Sequence, residues 1–224
     1  SNAAGHVTDA LATAAKAAGV GAAAVVAAVT AVTGAVLGNY ADYEQLVGGV
    51  DKLFGSASGK LQSYAAEAYR TSGLSANQYM EQATSFSSSL IQSLGGDTEK
   101  AADYANLAMT TMSDNVNVFG SNMGDVQNAF QGFAKQNYTM LDNLKLGYGG
   151  TQSEMQRLID DANEYAKSIG KAGDLSIDSF SDIVDAIDLI QQKQQIAGTT
   201  SREAATTIEG SVTMMKAAWE NWVT

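Results

Sequence analysis

Apolar residues recur at intervals of three or four positions along most of the chain after residue 40, the spacing that places them on one face of a helix. One such stripe consists of Met155, Leu158, Ile159, Ala162, Tyr165, Ala166 and Ile169. Another consists of Phe180, Ile183, Val184, Ile187 and Ile190. A third, with coiled-coil-like steps, consists of Ile208, Val212, Met215, Trp219 and Trp222. No segment sustains the two-residue alternation of a half-buried strand, so the pattern predicts helices and no β-sheet.

Glycines interrupt these stripes at points where a helix would end, since glycine readily takes the left-handed conformation of a C-terminal cap. The breaks fall at Gly48-Gly49, Gly55, Gly73, Gly95-Gly96, Gly147–Gly150, Gly170, Gly173 and Gly198. Capping boxes follow three of them, at Ser75–Gln78, Thr151–Glu154 and Thr200–Glu203. Proline, which breaks helices from inside, is absent. We therefore predict an all-α fold, a helical bundle of about six to eight helices with a long Ala/Val/Gly-rich N-terminal helix.

The N-terminal part differs in texture, because no charged residue occurs from residue 17 to residue 41. Valines lie there at helical spacing, and small residues form a second row that would let helices approach closely. The candidate residues for helix self-association are Ala23, Ala27, Ala31, Ala35, Gly34 and Gly38. The run is long enough to span a bilayer, although alanine gains little on leaving water. Burial against other helices or against copies of itself, membrane insertion and a flexible linker all stay open.

These textures divide the chain into three segments. Residues 1–3 have the sequence of an expression scar and are set aside from the fold. We predict that residues 4–38 form the small-residue apolar helix, with a role in oligomerisation or on a membrane. We predict that residues 39–224 form one helical domain.

The charge of the chain argues against nucleic-acid binding. The net charge is −11 at pH 7, and residues 39–224 carry all of it, because Asp9 and Lys16 cancel within residues 1–38. A surface that binds DNA needs clustered lysine and arginine to displace counterions from the phosphates. The sequence contains no such cluster, so we predict no direct nucleic-acid binding.

Side chains that could carry catalysis are scarce. Cysteine is absent and His6 is the only histidine, so a thiol nucleophile is excluded and a triad or histidine metal site would depend on His6 alone. The densest acidic group consists of Asp174, Asp178, Asp182, Asp185 and Asp188. On a helix, three of these share the face opposite the Phe180 stripe, and we interpret them, like Asp160, Asp161 and Glu164, as a solvated face. The alternative for the group is a cation site or an acid/base pair. We predict a protein that is not an enzyme and that holds no cofactor and no metal.

Three further features have a plain structural interpretation. Asp114–Asn117 opens like a calcium loop, but Phe119 stands where that loop requires glycine and no glutamate closes it. Gly147–Gly150 lacks the spacing and the lysine of a phosphate-binding loop, so we interpret it as a tight turn before Thr151. Trp219 and Trp222 lie at core spacing, and we predict that they are buried, the alternative being an exposed recognition edge.

Four blocks of the sequence resemble, in order, a region of the tape measure proteins of long-tailed phages and prophages. The most distinctive is Phe130–Thr151, with the sequence FQGFAKQNYTMLDNLKLGYGGT. Tyr43–Val50 is similar to the start of that region, Ser85–Thr98 to its middle and Ala204–Trp219 to its end. The resemblance covers most of residues 40–222, whereas the N-terminal Ala/Val run matches only in character.

The resemblance implies a structural role in the phage tail. Tape measure proteins occupy the lumen of the growing tail, set its length and are coated by assembly chaperones, and apolar segments of theirs act at the host membrane during genome ejection. The implied partners are copies of the chain itself, tail tube and tail assembly chaperone proteins and the host membrane. The implied locations are the virion tail lumen, the bacterial cytoplasm during assembly and the host membrane on infection. The alternative is a membrane-active or pore-forming helical protein without a tail role, which rests on residues 17–41.

A measuring rod must be extended, and a continuous helix would provide about 1.5 Å per residue. The glycine breaks and the short one-sided helices favour a folded-back bundle instead, because each apolar face must be buried against another element. We therefore expect this part of the chain to dock, to oligomerise or to act on a membrane, and not to form the rod itself.

Overall fold

The computed structural model describes residues 41–206 and 208–222, and internal contacts divide the chain into two units. One unit comprises Leu46–Asn221. The other comprises Ser1–Gln45 with Trp222–Thr224, of which only residues 41–45 and 222 are described. The predicted apolar helix over residues 4–38 therefore lies outside the described residues. The same is true of its candidate self-association residues, Ala23, Ala27, Ala31, Ala35, Gly34 and Gly38.

Most helices form where the apolar stripes and the glycine breaks predict them. The predicted break at Gly48-Gly49 is wrong, because neither glycine takes a left-handed φ and the first helix continues through both. Residues 41–54 are helical and are named α1. The helices that follow are α2 (Ser58–Thr71), α3 (Ala76–Ser93), α4 (Thr98–Phe119), α5 (Met123–Phe133), α6 (Gln152–Ser168), α7 (Phe180–Lys193), α8 (Thr199–Thr206) and α9 (Ile208–Trp222). Short 3₁₀ turns cover Gly55–Ala57 and Leu141–Leu144. No strand occurs in residues 41–206 or 208–222, and the predicted all-α bundle is confirmed there.

Helix α4 lies in the middle of the bundle, because it contacts α2, α3, α5, α7 and α8. Its fully buried apolar residues are Ala101, Ala102, Ala105, Ala108, Met109 and Met112. Small side chains let the neighbouring backbones come close, and methionine fills irregular gaps. Larger side chains of the surrounding helices complete the core, and Phe86 of α3 meets Phe180 of α7 edge to face at 6.0 Å.

Two of the three predicted capping boxes begin helices as expected. Ser75 Oγ accepts a hydrogen bond from the Gln78 N–H at 3.3 Å, and Gln78 Oε1 accepts one from the Ser75 N–H at 3.0 Å, so this box is confirmed. Thr151 Oγ1 accepts a hydrogen bond from the Glu154 N–H at 3.2 Å. The Glu154 carboxylate instead accepts from the N–H of Gly149. Only the hydroxyl half of the Thr151 box is therefore confirmed.

The prediction of a third capping box at Thr200–Glu203 is wrong, because a carboxylate from a distant part of the chain caps the helix instead. Helix α8 begins at Thr199, so Thr200 already lies within it. Asp114 of α4 accepts hydrogen bonds from the N–H of Gly198 at 2.5 Å and from the N–H of Thr200 at 2.8 Å. Asp114 is only 5% exposed, and a helix N-terminus is where backbone dipoles stabilise a negative charge. The apparent opening of a calcium loop is thus a long-range helix cap.

The prediction that the tryptophan stripe of α9 is buried is also wrong where the structure describes it. Trp219 is 60% exposed and Met215 is 64% exposed. Helix α9 instead turns Ala217 inward, and its Asn221 Oδ1 accepts a hydrogen bond from the N–H of Ala76 at 2.6 Å. That N–H is one of the orphan donors in the first turn of α3. Among the described side chains of α9, Ala217 and Asn221 thus face the bundle, whereas Met215 and Trp219 do not.

We expect Asp114→Ala to lower the free energy of unfolding by about 2 kcal/mol, because it leaves half-buried N–H groups at the start of α8 without their acceptor. Urea denaturation followed by tryptophan fluorescence measures this loss, since both tryptophans lie in α9. Asp125→Ala is the control, because it removes an exposed carboxylate from the first turn of α5. An equal loss in the two variants would contradict the capping role of Asp114.

Candidate functional site

The chain between α5 and α6, residues 134–151, is a long connection held in place by side chains from three helices. Asn115 of α4 donates to the carbonyl oxygen of Leu144 at 2.7 Å. Gln194, at the C-terminal end of α7, donates to the carbonyl oxygen of Leu146 at 3.1 Å. Arg157 of α6 donates to the carbonyl oxygen of Gly147 at 2.9 Å. Connections of this length in compact domains usually carry function or are disordered, and this one is anchored along its backbone. We name residues 134–151 the anchored loop.

Buried side chains of the anchored loop also hold it against the bundle. Leu141 and Leu144 are fully buried, and Leu146 is nearly so. Tyr138 donates its hydroxyl hydrogen to the carbonyl oxygen of Ile177 at 3.2 Å. Gly150 fits a close approach of the backbone to itself, because a Cβ there would collide with the carbonyl oxygen of Thr139. Buried leucines and a glycine at a close backbone approach thus support the observed conformation of the loop.

Charged and aromatic groups clamp the end of the anchored loop where it enters α6. The guanidinium of Arg157 lies 4.3 Å from the centre of the Tyr148 ring, a cation–π contact. Arg157 also donates to Glu154 at 2.6 Å, and this hydrogen bond holds the pKa of the Glu154 carboxyl below its usual range. The Tyr148 hydroxyl donates to Asp161 at 2.7 Å. Burial, reinforced by that carboxylate, raises the pKa of the Tyr148 hydroxyl. Tyr148 thus stays a neutral donor at physiological pH.

A cleft of about 450 Å³ borders the anchored loop. The last turn of α3, the end of α5 with the start of the anchored loop, and the segment leading into α7 form its walls. Lys135 and Asp178 are the two charged residues of its lining, and the rest is a mixture of serine and glutamine side chains with apolar ones. Gln136 in this rim has φ of 58°, a left-handed conformation that costs a residue with a Cβ about 1 kcal/mol or more. Backbone strain of this kind clusters at functional sites.

The interpretation of the acidic residues around α7 as a solvated face is wrong for its central members. Asp182, Asp185 and Asp188 are all half-buried, whereas Asp174 and Asp178 are exposed. Helix α7 packs against α6, α4 and α3, so little of its circumference is left for solvent.

The half-buried aspartates have partners within the bundle. Asp185 accepts a hydrogen bond from the hydroxyl of Tyr104 at 2.5 Å, and Asp188 accepts one from Gln192 at 2.6 Å. Burial raises the pKa of both carboxyls against the lowering effect of these bonds. Asp161 is likewise half-buried, whereas Asp160 and Glu164 are exposed as predicted. The half-buried carboxylates are thus engaged in hydrogen bonds within the bundle.

The other sequence predictions can be placed only in part. His6 lies outside the described residues, together with the small-residue row. In the described part of the chain, no three residues among His, Cys, Asp and Glu are grouped so that they could hold a metal ion. None of the helices over residues 41–206 and 208–222 is both long enough and apolar enough to cross a bilayer. Gly147–Gly150 leads directly into the Thr151 cap of α6, where the sequence places a turn.

Comparison with known proteins gives no relative: no family model, no curated protein and no solved structure matches the chain. The arguments for a site therefore rest on the molecule itself. Sequence reasoning missed the side chains that anchor the loop, namely Asn115, Arg157 and Gln194. Only the Glu154–Arg157 spacing of three residues gave a local signal, because the other anchors act across 29 and 48 residues.

The raised pKa values of the half-buried aspartates predict an unusual pH dependence. A carboxyl whose pKa is higher in the folded than in the unfolded state contributes stability at low pH and loses it as the pH rises through the folded-state value. Asp188→Asn cannot ionise and keeps an oxygen for Gln192, so we expect it to raise stability at pH 7 relative to the wild type. The difference should shrink as the pH falls toward the unfolded-state pKa near 3.8.

Urea denaturation at a series of pH values measures this difference. Asp178→Asn, which removes the same charge from an exposed position, is the control and should change stability little. If the stabilities of the wild type and of Asp188→Asn changed in parallel with pH, the pKa of Asp188 would not be raised in the folded protein, and the prediction would be contradicted.

Proposed function

We propose that this chain is part of the tape measure protein of a long-tailed phage or prophage, a structural component in tail assembly and length determination. The observation that carries the proposal is the coincidence of two features at one place. The sequence block with the most specific resemblance to that family, Phe130–Thr151, contains the whole of the anchored loop. A segment with so idiosyncratic a sequence, held by side chains from α4, α6 and α7, is what a fixed contact surface in an assembled particle requires, because a pre-organised surface loses little entropy on binding.

Within that role, we propose that residues 46–221 act as a docking module and not as the measuring rod. A continuous helix of this length would extend over roughly 260 Å. Here the helices fold back, and α4 alone is contacted by five others. If the same residues formed one long single helix, the apolar faces that now pack against each other within the unit would be exposed.

The proposed surroundings are the tail lumen and, before assembly, the bacterial cytoplasm. The proposed partners are tail tube proteins, tail assembly chaperones and further copies of the chain. A net charge of −11 supports this setting, since an acidic occupant of the channel repels the phosphates of the genome that follows it. Membrane passage during ejection belongs to the proposal through the uncharged run of residues 17–41, which lies almost wholly outside the described residues.

An in-frame deletion of residues 46–221 in the encoding phage or prophage separates the roles. For a docking module we expect far fewer tails, with the length of those that form unchanged in electron micrographs. Tails shorter by roughly 260 Å, at about 1.5 Å per residue, would show a rod instead. Two results together would contradict a tail role altogether. One is a normal number of tails of normal length from the deletion, and the other is absence of the chain from purified wild-type particles by mass spectrometry.

A matched pair of point variants locates the contact surface. Met140 in the anchored loop is 42% exposed, and Ile169 beyond the end of α6 is 45% exposed. Helix α6, which is about 25 Å long, lies between them in the chain. We expect Met140→Glu to reduce the yield of complete tails at least tenfold, because a charge placed in an interface costs about 1.4 kcal/mol or more. Ile169→Glu should leave the yield unchanged. Equal yields from the two variants would remove the anchored loop as the contact.

A further inference from the structure

Three buried oxygen atoms between α4 and α7 have no hydrogen-bond partner within residues 41–206 and 208–222. They are Thr111 Oγ1, Asn115 Oδ1 and Gln191 Oε1. Thr111 is 2% exposed, and Asn115 and Gln191 are fully buried. Most buried polar atoms in folded proteins are paired, because an unpaired one forfeits its hydration without compensation. Three such atoms at one helix contact indicate a bound group.

The three residues share one face of the contact. Thr111 and Asn115 are one turn apart on α4, so their Cβ atoms lie about 5–6 Å from each other. Gln191 of α7 reaches this turn, because its Nε2 donates to the carbonyl oxygen of Thr111 at 3.0 Å. Asn115 Nδ2 is also engaged, with the carbonyl oxygen of Leu144 at 2.7 Å. Both amide nitrogens are therefore fixed by acceptors, which determines the orientation of each amide and leaves its oxygen as the free end.

The chemistry of the set defines what fits. Two amide oxygens accept hydrogen bonds but cannot donate, and a threonine hydroxyl can donate one. A group that donates twice and accepts once would satisfy all three atoms. A hard cation such as Ca²⁺ would need six or more oxygens, usually with carboxylates among them. A water molecule has the required donors and acceptors, and buried waters typically make about three hydrogen bonds.

We propose that an ordered water molecule binds between α4 and α7, donating to Asn115 Oδ1 and Gln191 Oε1 and accepting from the Thr111 hydroxyl. This water joins α7 to the residue that anchors the loop at Leu144. It is part of the support beneath the anchored loop, and it is independent of the tail role proposed above.

Thr111→Val tests the site through the sign of its effect. With water bound, valine removes one of its three partners, and we expect the unfolding equilibrium constant to rise roughly fivefold. Without water, valine replaces an unpaired buried hydroxyl by a methyl group of similar shape, so the variant would be more stable than the wild type and the proposal would be overturned. Urea denaturation gives the sign directly.

Thr110→Val is the matched control on the same helix. The Thr110 hydroxyl is half-buried and bonds to the carbonyl oxygens of Asn106 and Leu107 in its own helix, so its loss should have little effect. Thr111→Ser keeps the hydroxyl and should retain the water even where Thr111→Val fails to fold.

A crystal structure of the whole chain provides a test that needs no variant. The expected result is a density peak within about 3.2 Å of all three oxygens. Protein donors bonded directly to Asn115 Oδ1 and Gln191 Oε1, or an empty space between them, would overturn the proposal.

Discussion

The burial of α4 on several sides is the constraint on which the rest of this bundle depends. A helix enclosed by five others must offer small apolar side chains where backbones approach, and α4 does so with a run of alanines over its first half. Any polar group on such a helix is removed from water and has to find a partner across the interface. The second half of α4 carries Thr111, Ser113, Asp114 and Asn115, all buried. The buried polar residues of the central helix are thus concentrated in its second half.

The polar end of α4 determines where the later parts of the chain are held. Asp114 fixes the start of α8, Asn115 fixes the anchored loop at Leu144, and the Thr111 carbonyl receives Gln191 of α7. Each bond joins α4 to an element at least 29 residues further along the chain. Purely apolar contacts are tolerant of sliding, whereas a paired polar group buried in a core allows one register. The alanine half of α4 permits close packing, and its polar half selects the arrangement.

Sequence reasoning succeeded where cause and effect lie within a few residues of each other. The Ser75–Gln78 box is a local arrangement, and the helices follow from the period of their apolar residues. It failed where the partner is remote. The local sequence predicts that Thr200 caps α8. The residue that does so is Asp114, which lies 86 residues away and gives no local signal. The sequence likewise predicts that Asp185 is solvated. In the structure Tyr104 of α4, 81 residues away in the chain, donates a hydrogen bond to it.

The spacing of apolar residues in α9 shows a second kind of limit. A stripe predicts that a face exists, but it does not decide whether that face or the opposite one meets the bundle. In α9, Asn221 accepts a hydrogen bond from the N–H of Ala76 at the start of α3, whereas Met215 and Trp219 of the stripe are exposed. Leaving that donor unpaired would cost about 1–3 kcal/mol, comparable with the gain from burying one large apolar side chain. The apolar stripe can therefore lose to a single polar cap.

The anchored loop combines both lessons, and this separates its support from its surface. Its backbone carbonyls at Leu144, Leu146 and Gly147 are held by side chains that belong to α4, α7 and α6. Its exposed side chains, such as Met140 and Asp142, take no part in those bonds. A substitution on the outer surface therefore changes what the loop can bind without changing where the loop lies. A substitution at the fully buried Asn115 removes a support of the loop and leaves its exposed side chains unchanged. A protein with this design changes its partner by altering exposed loop residues alone, because the fold that presents them is determined elsewhere in the chain.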